Sequence, residues 1–463
     1  MKKLLPIRKS FINQAVVTVL VAGFSVSTYA QKEEKVKKEK TEKAPEEKKE
    51  SGKIDATDKS TAAIKYRRSS LHTMIIEDAK LPKIDIILRT FNEAPFPDKY
   101  NDHTIDGKSF NLYDYKDTTA VVTGEELSKK EQKAADKDMS PEINKYFADS
   151  KTANKIIAKW FSRKENGAFD MSLIEERGMY DASAQDIAVA SSTARGDAML
   201  ADAGEELLPN TFVVVNYSKF VSNEPIALAI KNSTYALAAT KPGAFKEIAE
   251  KAADVLYNKT KDGYSVWTTA YLYQINWNDS TSAVFYQNYW MDDSKIDPAK
   301  KEAFEKGDLF KLELLGFQKA SILISGLGAN AKDEDMIIKN ATLKSIDAVY
   351  AKLQRKFEKF RTKTPLTSVE PVLAAKIGLK EGVENGDKYE VLEQTVDELG
   401  KVNYKRKGVI TVEKNKIWNN KFAPGEEPVD EEGNPIKLEY TLDFTSFKGG
   451  KGYYPGMLIR QIN

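Results

Sequence analysis

Strand-like and helical segments alternate through the middle of this 463-residue chain, and the alternation predicts a mixed α+β fold. Three segments rich in β-branched and aromatic residues predict strands: TFVVVNYSKF from Thr211, GYSVWTTAYLYQINW from Gly263 and FKLELLGFQKASILIS from Phe310. Two helices are predicted over residues 225–258, and a longer helix with an apolar stripe over residues 333–361.

A polar turn-like segment, residues 278–281, separates the second of these strands from SAVFYQNYWM and predicts a long aromatic β-hairpin. Alternation along the first arm places four aromatic side chains on one face: Trp267, Tyr271, Tyr273 and Trp277. Rings in this arrangement either join a sheet to its covering helices or stack on the rings of a sugar. These four residues are therefore the candidate ligand-binding residues of the sequence.

The N-terminal half contributes further elements. A strand is predicted over residues 71–76, and a helix from Ile84 ends before two prolines, at 95 and 97. A helix with one break follows Ser140, and MSLIEERGMYDAS from Met171 predicts a strand and a turn. The alanine-rich segment 184–207 predicts a further helix.

Short strands with frequent glycines occupy the C-terminal part of the chain. Asn385 and Gly386 have the composition of a tight hairpin turn, and strands are predicted near residues 408–413, 438–444 and 457–462. A compact antiparallel barrel would hide the edges of such strands. We therefore expect a mixed α+β domain over residues 61–364, with a subdivision near 140–170 as an alternative, and a small β-module over residues 365–463.

The N-terminus has the layout of a secretory signal peptide. Four basic residues precede an apolar stretch and the sequence Thr28-Tyr29-Ala30, which predicts cleavage after Ala30. Residues 31–60 are dominated by Lys and Glu and predict a disordered charged spacer. The sequence thus predicts export of a mature chain that begins near Gln31. No interior run is long and apolar enough to predict a transmembrane segment in the mature chain.

Charge and cysteine content exclude several classes of function. The chain has no cysteine, which excludes disulfides, thiol catalysis, thiolate metal sites and a lipid anchor on an N-terminal cysteine. Removal of the four basic residues of the signal leaves 67 basic and 69 acidic residues, a net charge of −2. A nearly neutral protein has no general electrostatic attraction to nucleic acid.

Two parts of the sequence resemble known protein families. The pairing of YRRSSLHTMII with PFPDKYNDH resembles a family of secreted proteins common in Bacteroides-like Gram-negative bacteria (Bacteroidota). This resemblance implies export to the periplasm or outer envelope of a Gram-negative bacterium and implies no activity. PVLAAKIGLKEGVENGDKYEVLE followed by YKRKGVITVEK is similar to the small C-terminal β-module of the flagellar assembly protein T family and of envelope proteins related to the curli secretion lipoprotein. This second resemblance implies assembly at the cell envelope, and this chain departs from the secretion lipoproteins because it lacks the lipid-anchoring cysteine.

Residues 94–107 gather three acidic side chains, at Asp98, Asp102 and Asp106, around His103, one of only two histidines. The spacing does not fit an EF-hand loop, and the adjacent Asp102 and His103 are poorly placed to reach one zinc ion. Asp side chains often cap turns by accepting hydrogen bonds from their own backbone. A structural turn is the preferred interpretation, and Asp98, Asp102 and His103 are weak candidates for a metal or substrate site.

The remaining motifs favour a protein that is not an enzyme. SGLGANA, residues 325–331, matches a dinucleotide fingerprint, but no second parallel strand follows its helix, so no cofactor is predicted. The chain lacks a G-x-S-x-G elbow, and only His72 or His103 could serve a catalytic triad. We expect an exported interaction or assembly factor of the cell envelope with a protein partner. The alternative is a glycan or small-ligand binding protein that uses the hairpin, and the third candidate is a carboxylate-based hydrolase.

Overall fold

The computed structural model describes residues 69–81, 83–116, 138–181, 204–325, 333–396, 402–421 and 442–462. The strands are β1 (Ser70–Glu77), β2 (Asn101–Asp102), β3 (Ser109–Asn111), β4 (Thr211–Ser222), β5 (Gly263–Ile275), β6 (Leu312–Ser325), β7 (Thr364–Ser368), β8 (Leu373–Ala375), β9 (Lys388–Val396), β10 (Val402–Val412), β11 (Thr445–Lys448) and β12 (Leu458–Ile462). The helices are α1 (Ile84–Glu93), α2 (Ser140–Asp149), α3 (Thr152–Trp160), α4 (Ser172–Asp181), α5 (Glu224–Ala238), α6 (Gly243–Thr260), α7 (Asp279–Asn288), α8 (Pro298–Lys306) and α9 (Glu334–Lys356).

Several predictions from the sequence fall outside these residues. The signal peptide, the charged spacer, the alanine-rich helix except its last residues, all of SGLGANA after Ser325 and most of the strand predicted near 438–444 lie there. The described residues divide into a smaller unit, Ile226–Tyr257, and a larger unit that contains the sheet and the C-terminal strands.

The larger unit is built on a mixed sheet with the order β2-β1-β4-β5-β6, in which β3 also pairs with β1. Strand β1 runs parallel to β2, β3 and β4, whereas β4, β5 and β6 are antiparallel neighbours. Strand β4 carries an almost continuous run of buried residues, because both faces of the sheet are covered there. The three long strands that the sequence predicts are thus adjacent in one sheet.

Alternate residues of the strands point to two different hydrophobic layers. Met74, Val213 and Tyr273 belong to a layer rich in aromatic rings, which we call the aromatic face; helices α2, α3, α4, α7 and α8 contribute to it. Leu71 and Val214 point the other way, toward the side chains of α9, and we call this the α9 face. The core therefore lies in two layers separated by one sheet.

Helix α9 begins where Asp333 accepts hydrogen bonds from the backbone N–H groups of Asp335 and Met336. Its buried stripe, which includes Ile338, Val349 and Leu353, packs on the α9 face. The basic residues of its last turn suit the negative end of the helix dipole.

The C-terminal strands form a closed six-stranded barrel with the order β10-β11-β8-β7-β12-β9. Its interior is filled by apolar side chains such as Tyr389, Ile410 and Phe447. Closure leaves no free edge, which explains how such short strands form a stable module. Gly382 has a φ of +76°, and a Cβ atom there would lie 2.9 Å from the Cβ of Ala351, so the barrel approaches α9 closely at this glycine.

The smaller unit consists of the helix pair α5 and α6. Asp254 of α6 forms an ion pair with Lys231 of α5 and accepts a hydrogen bond from Tyr235. The buried residues of these helices are Ala227, Ala238 and Ala253.

The fold class predicted from the sequence, mixed α+β with a barrel-like C-terminal module, is confirmed. Two local predictions are wrong. The second arm of the aromatic hairpin is helix α7, because residue Asn278 caps a helix by accepting a hydrogen bond from the Thr281 N–H. The strand and turn predicted from Met171 form helix α4, whose start is fixed by hydrogen bonds from Ser172 to Asp170.

Candidate functional site

The four aromatic residues of the predicted ligand site lie in different environments. Tyr271 and Tyr273 are fully buried and Trp277 is 8% exposed, whereas Trp267 is 45% exposed. Phe147 of α2 contacts Tyr273 edge to face with centroids 4.9 Å apart, and Tyr271 accepts a hydrogen bond from the Met139 N–H. Three of the four rings therefore belong to the covered aromatic layer, and these four residues form no open platform.

The residues around His103 also serve the local structure. Asp102 Oδ1 accepts a hydrogen bond of 2.8 Å from the Thr104 N–H, which caps the turn. Asp98 lies 3.6 Å from the Lys99 ammonium. Among the described residues no three His, Asp or Glu side chains come close enough to hold one metal ion. The histidine itself faces the interior.

His103 is fully buried in a polar cluster beneath helix α3. Its Nδ1 accepts a 2.7 Å hydrogen bond from the Arg177 guanidinium, so its Nε2–H donates to the Ile156 carbonyl at 2.9 Å. Arg177 stacks over the ring of Trp160 at 4.3 Å and also donates to Ser70 and to the Asp102 carbonyl. Burial and the neighbouring guanidinium hold the pKa of His103 well below its usual range.

His72 lies on β1 close to this cluster and is also fully buried. Burial, assisted by Lys108 and Lys159, lowers its pKa to about 3. Its Nδ1 accepts a 3.4 Å hydrogen bond from the Ile105 N–H, and its Nε2 has no partner in the described residues. Both histidines are therefore neutral at pH 7 and lack the exposure that a catalytic base needs.

A cavity of about 270 Å³ lies on the α9 face of the sheet, beyond the C-terminal end of α1. One wall is apolar and contains Phe91, Phe96 and the two prolines that end α1, Pro95 and Pro97. Other walls come from α9 and from the short 3-10 helix Leu379–Glu381 of the barrel. Leu343 and Ile346 of α9 are also apolar, and the polar or charged lining residues are Thr73, Asn92, Lys99, Tyr100, Asp102, Thr104, Lys108, Asp347, Tyr350, Gln354, Lys380 and Glu381.

Asp347 of α9 is the most unusual group in the cavity. Its half-buried carboxyl group has no hydrogen bond or ion pair within the described residues. Burial raises its pKa from 3.8 to about 6, although Lys380 and Lys421 act in the opposite direction. A carboxylate that is withdrawn from water without a donor is costly, and such groups frequently mark binding sites.

Glu381 is the second acidic residue of the cavity, but it already has partners. Its Oε2 accepts hydrogen bonds from the Gly378 N–H at 2.7 Å and from Asn420 at 2.8 Å. Burial raises the pKa of this carboxyl group, and the two hydrogen bonds partly offset the effect. Glu381 thus holds the 3-10 helix in place at the cavity wall.

Tyr350 is the third buried polar group at the cavity, one turn from Asp347. The residue is 5% exposed, and its hydroxyl is buried beside the side chain of Asn216. Burial raises the pKa of the hydroxyl, and the interaction with Asn216 acts in the opposite direction. Tyr350 therefore forms part of the cavity wall, and its hydroxyl is not open to a ligand.

The charges around the cavity are balanced. The lining contains three lysines, Lys99, Lys108 and Lys380, and three acidic residues, Asp102, Asp347 and Glu381. The arrangement can donate and accept several hydrogen bonds while an apolar wall covers one side of a bound molecule. Of the candidate site residues that the sequence predicts, Asp102 alone lines the cavity.

The cavity residues of α9 were missed because the sequence analysis followed the apolar stripe alone. Asp347 and Gln354 line the cavity, and they share one face of the helix with Asn340 because the three residues are seven positions apart. Asn340 and Gln354 are both more than nine-tenths buried. Polar residues repeated at this interval beside an apolar stripe are the signal that would have predicted a polar cavity.

No protein-family model and no curated protein sequence matches this chain. None of the described helices combines the length and hydropathy that crossing a bilayer requires.

Proposed function

We propose that this chain is an exported, non-enzymatic binding protein of the cell envelope that holds a small, uncharged, hydroxyl-rich ligand, such as one sugar unit of a glycan. The ligand occupies the cavity on the α9 face. The observation that carries the proposal is the half-buried Asp347 carboxylate, which has no donor within the described residues. A ligand hydroxyl group supplies this donor.

The balance of charge favours an uncharged ligand. Three lysines and three acidic residues line the cavity, so a ligand with a net charge would leave one protein charge uncompensated. Hydroxyl groups both donate and accept, which suits a lining that offers carboxylate, ammonium and amide groups. The volume, below the roughly 300 Å³ at which pockets for drug-sized ligands begin, favours one small ring.

The apolar wall supports the same class of ligand. The carbon-bound hydrogens of a sugar ring form an apolar surface that packs on aromatic and proline side chains, and Phe91 and Phe96 offer such a surface. The alternative function that the sequence predicts, glycan or small-ligand binding, is thereby moved from the aromatic strand to the cavity. The assembly role and the envelope protein partner stay predictions.

Hydrolysis by a carboxylate pair is a weaker proposal. Such a mechanism needs one carboxyl group as an acid and a second as a base or nucleophile. One oxygen of Glu381 accepts hydrogen bonds from one backbone N–H and one side-chain amide of the barrel. Because Glu381 is already hydrogen-bonded, it is a poor catalytic partner for Asp347, and a binding role for Asp347 is favoured.

The proposal can be tested with a panel of monosaccharides and short glycans. Binding is screened on an array first and then measured by calorimetry. We expect a selective ligand for the parent protein and binding at least tenfold weaker for Asp347→Asn, whose amide replaces a charged acceptor. Asp85→Asn changes an exposed carboxylate of α1 and is the matched control, with unchanged affinity.

Two results would contradict the proposal. One is an array without any selective ligand. The other is a ligand that binds Asp347→Asn and the parent equally well. Binding should also weaken below pH 6, because protonation of Asp347 removes the acceptor.

A further inference from the structure

A second cavity, of about 240 Å³, lies between the start of β1 and the barrel strand β12. We call it the basic pocket, because its charged lining consists of the acidic residue Glu358 and five basic residues: Lys99, Lys359, Arg361, Lys363 and Arg460. The other lining residues are polar and uncharged, and they include Ser69 and Thr362. The cavity on the α9 face has equal numbers of both charges, so the two cavities suit different ligands.

The guanidinium group of Arg361 is fixed in the basic pocket by backbone groups. It donates hydrogen bonds to the carbonyl oxygens of Gln354 at 3.2 Å, Arg355 at 2.8 Å and Gln461 at 3.3 Å. Because a carbonyl oxygen has no net charge, these three contacts orient the guanidinium group without cancelling its charge. A guanidinium group that is already oriented loses little conformational freedom when it binds an oxyanion.

Lys359 and Lys99 add positive charge to the basic pocket. Lys359 is exposed and donates a hydrogen bond of 3.3 Å to the neutral side-chain oxygen of Gln274. The side chain of Lys99 is only 15% exposed, and its ion pair with Asp98 is long, at 3.6 Å. Asp98 itself is 62% exposed, so water screens this pair. Both ammonium groups therefore keep much of their attraction for an anion.

The acidic residues that form ion pairs at the pocket are fewer than its basic residues. Glu358 contacts the Arg460 guanidinium at 3.1 Å, and Glu390 of the barrel, outside the lining, contacts it at 2.7 Å. Together with Asp98, three acidic residues stand against five basic ones, a surplus of two positive charges in this set. Like charges held close together repel one another, and a bound anion relieves this repulsion.

We propose that the basic pocket binds a small oxyanion, such as inorganic phosphate or the phosphate group of an organic phosphate ester. Arg361 and the two lysines supply the positive charge. The hydroxyl groups of Ser69 and Thr362 are available in the same lining as donors to further oxygens of the anion. The proposal does not depend on the ligand of the cavity on the α9 face, although Lys99 lines both cavities.

Equilibrium dialysis of the full chain against labelled inorganic phosphate, at an ionic strength held constant with chloride, tests the site. We expect saturable binding of one ion per chain. Lys359→Gln should bind about fivefold more weakly, because it loses a charge-assisted hydrogen bond. Lys356→Gln removes an exposed charge of α9 outside the lining and should leave the affinity unchanged. Absence of saturable binding, or equal weakening in both variants, overturns the proposal.

Glucose 1-phosphate, dialysed beside inorganic phosphate, distinguishes the two sources of the anion. Binding of the ester that is as tight or tighter supports a phosphate group carried on an organic molecule, and much weaker binding supports the free ion. Whichever compound binds more tightly should lose affinity in Lys359→Gln. A compound that binds this variant and the parent equally well occupies another site and overturns the proposal.

A third variant should change the affinity in the opposite direction. Glu358→Gln removes the acidic residue of the lining and leaves Arg460 with one carboxylate instead of two, so phosphate should bind about threefold more tightly. Misfolding could not produce this gain. Glu247→Gln, which changes an exposed residue of α6, is the matched control and should bind as the parent does. Unchanged or weaker binding by Glu358→Gln contradicts the basic pocket as the anion site.

Discussion

The two faces of the sheet are both covered by helices, yet they are filled in different ways. On the aromatic face, rings such as Phe161, Phe285 and Trp290 contact one another at centroid distances of 4.5–6.0 Å. On the α9 face, the packed core gives way to a cavity that contains the Asp347 carboxylate, which has no hydrogen bond or ion pair within the part of the chain that the structure describes. The face with more aromatic residues is the more completely closed.

Aromatic residues in a sequence are used to predict both a stable core and a binding site, and the two faces of this sheet show that these are separate properties. Large rings contribute the most stability when they are fully packed, and packing removes them from any ligand. A binding site instead needs polar groups whose hydrogen bonds are left for the ligand. In our proposal, the aromatic face contributes stability and the α9 face binds the ligand.

The largest expected effect is the loss of a ring from the aromatic face. Tyr273→Ala removes a fully buried ring and should lower the free energy of unfolding by about 3–5 kcal/mol. Trp267→Ala, on the same strand but 45% exposed, is the control and should cost less than about 1 kcal/mol. Denaturant unfolding measures both. Equal losses would contradict the assignment of Tyr273 to a packed layer.

Acid should destabilise the aromatic face through its buried histidines. The pKa of His72 is lowered from 6.5 to about 3 in the folded protein, so the unfolded state binds more protons in this range. Its contribution to stability is complete above pH 6.5 and is lost as the pH falls toward 3, by about 3 kcal/mol between pH 7 and 4. Urea titrations at several pH values should show this loss, and His72→Gln should reduce it. An unchanged slope in the variant would exclude His72 as its source.

The α9 face should show the opposite dependence on pH through Asp347. Because its pKa is raised to about 6, the folded state binds the proton more tightly, and the stability it contributes at low pH is lost as the pH rises through 6. Asp347→Asn should therefore raise the free energy of unfolding at pH 8 by about 1–2 kcal/mol, with allowance for solvent screening at this half-buried group. A destabilised variant at pH 8 would indicate that the carboxylate has a partner.

The smallest effect concerns the wall that the barrel contributes to the cavity. Arg355 of α9 donates to both carboxylate oxygens of Asp387, at 3.0 and 3.1 Å, and to the Gly382 carbonyl. Arg355→Lys loses the paired geometry and should cost about 1 kcal/mol. Hydrogen exchange of residues 379–387 should become faster, whereas the exposed control Lys356→Arg should leave it unchanged. Equal exchange in both variants would show that this contact does not hold the wall.

Much of the sheet could be predicted from the sequence, because β4, β5 and β6 are long and rich in β-branched and aromatic residues. Helix α7 could not, since SAVFYQNYWM fits a strand and a helix equally well by its apolar residues. The helix forms because Asn278 caps it and because Phe285 fills the aromatic layer. Tertiary packing decided between two local structures of similar propensity.

The candidate site was harder to predict than the fold. Asp347 and Glu381 are 34 residues apart and lie on a helix and in the barrel, so no local motif connects them. His103 is the converse case, because its surroundings in the sequence suggest a site that the fold does not form. It stands in a cluster of acidic residues in the sequence, but its ring points into the core toward Arg177. Local composition did not reveal which side of the chain faces solvent.

Hydrogen–deuterium exchange with and without the best sugar from the panel tests the central claim most directly. If the α9 face binds the ligand, amides of residues 91–108 and 343–354 become protected, while residues 263–275 and 279–288 exchange as before. Protection of β5 and α7 without any change around Asp347 would contradict the account, because it would place the ligand on the aromatic face.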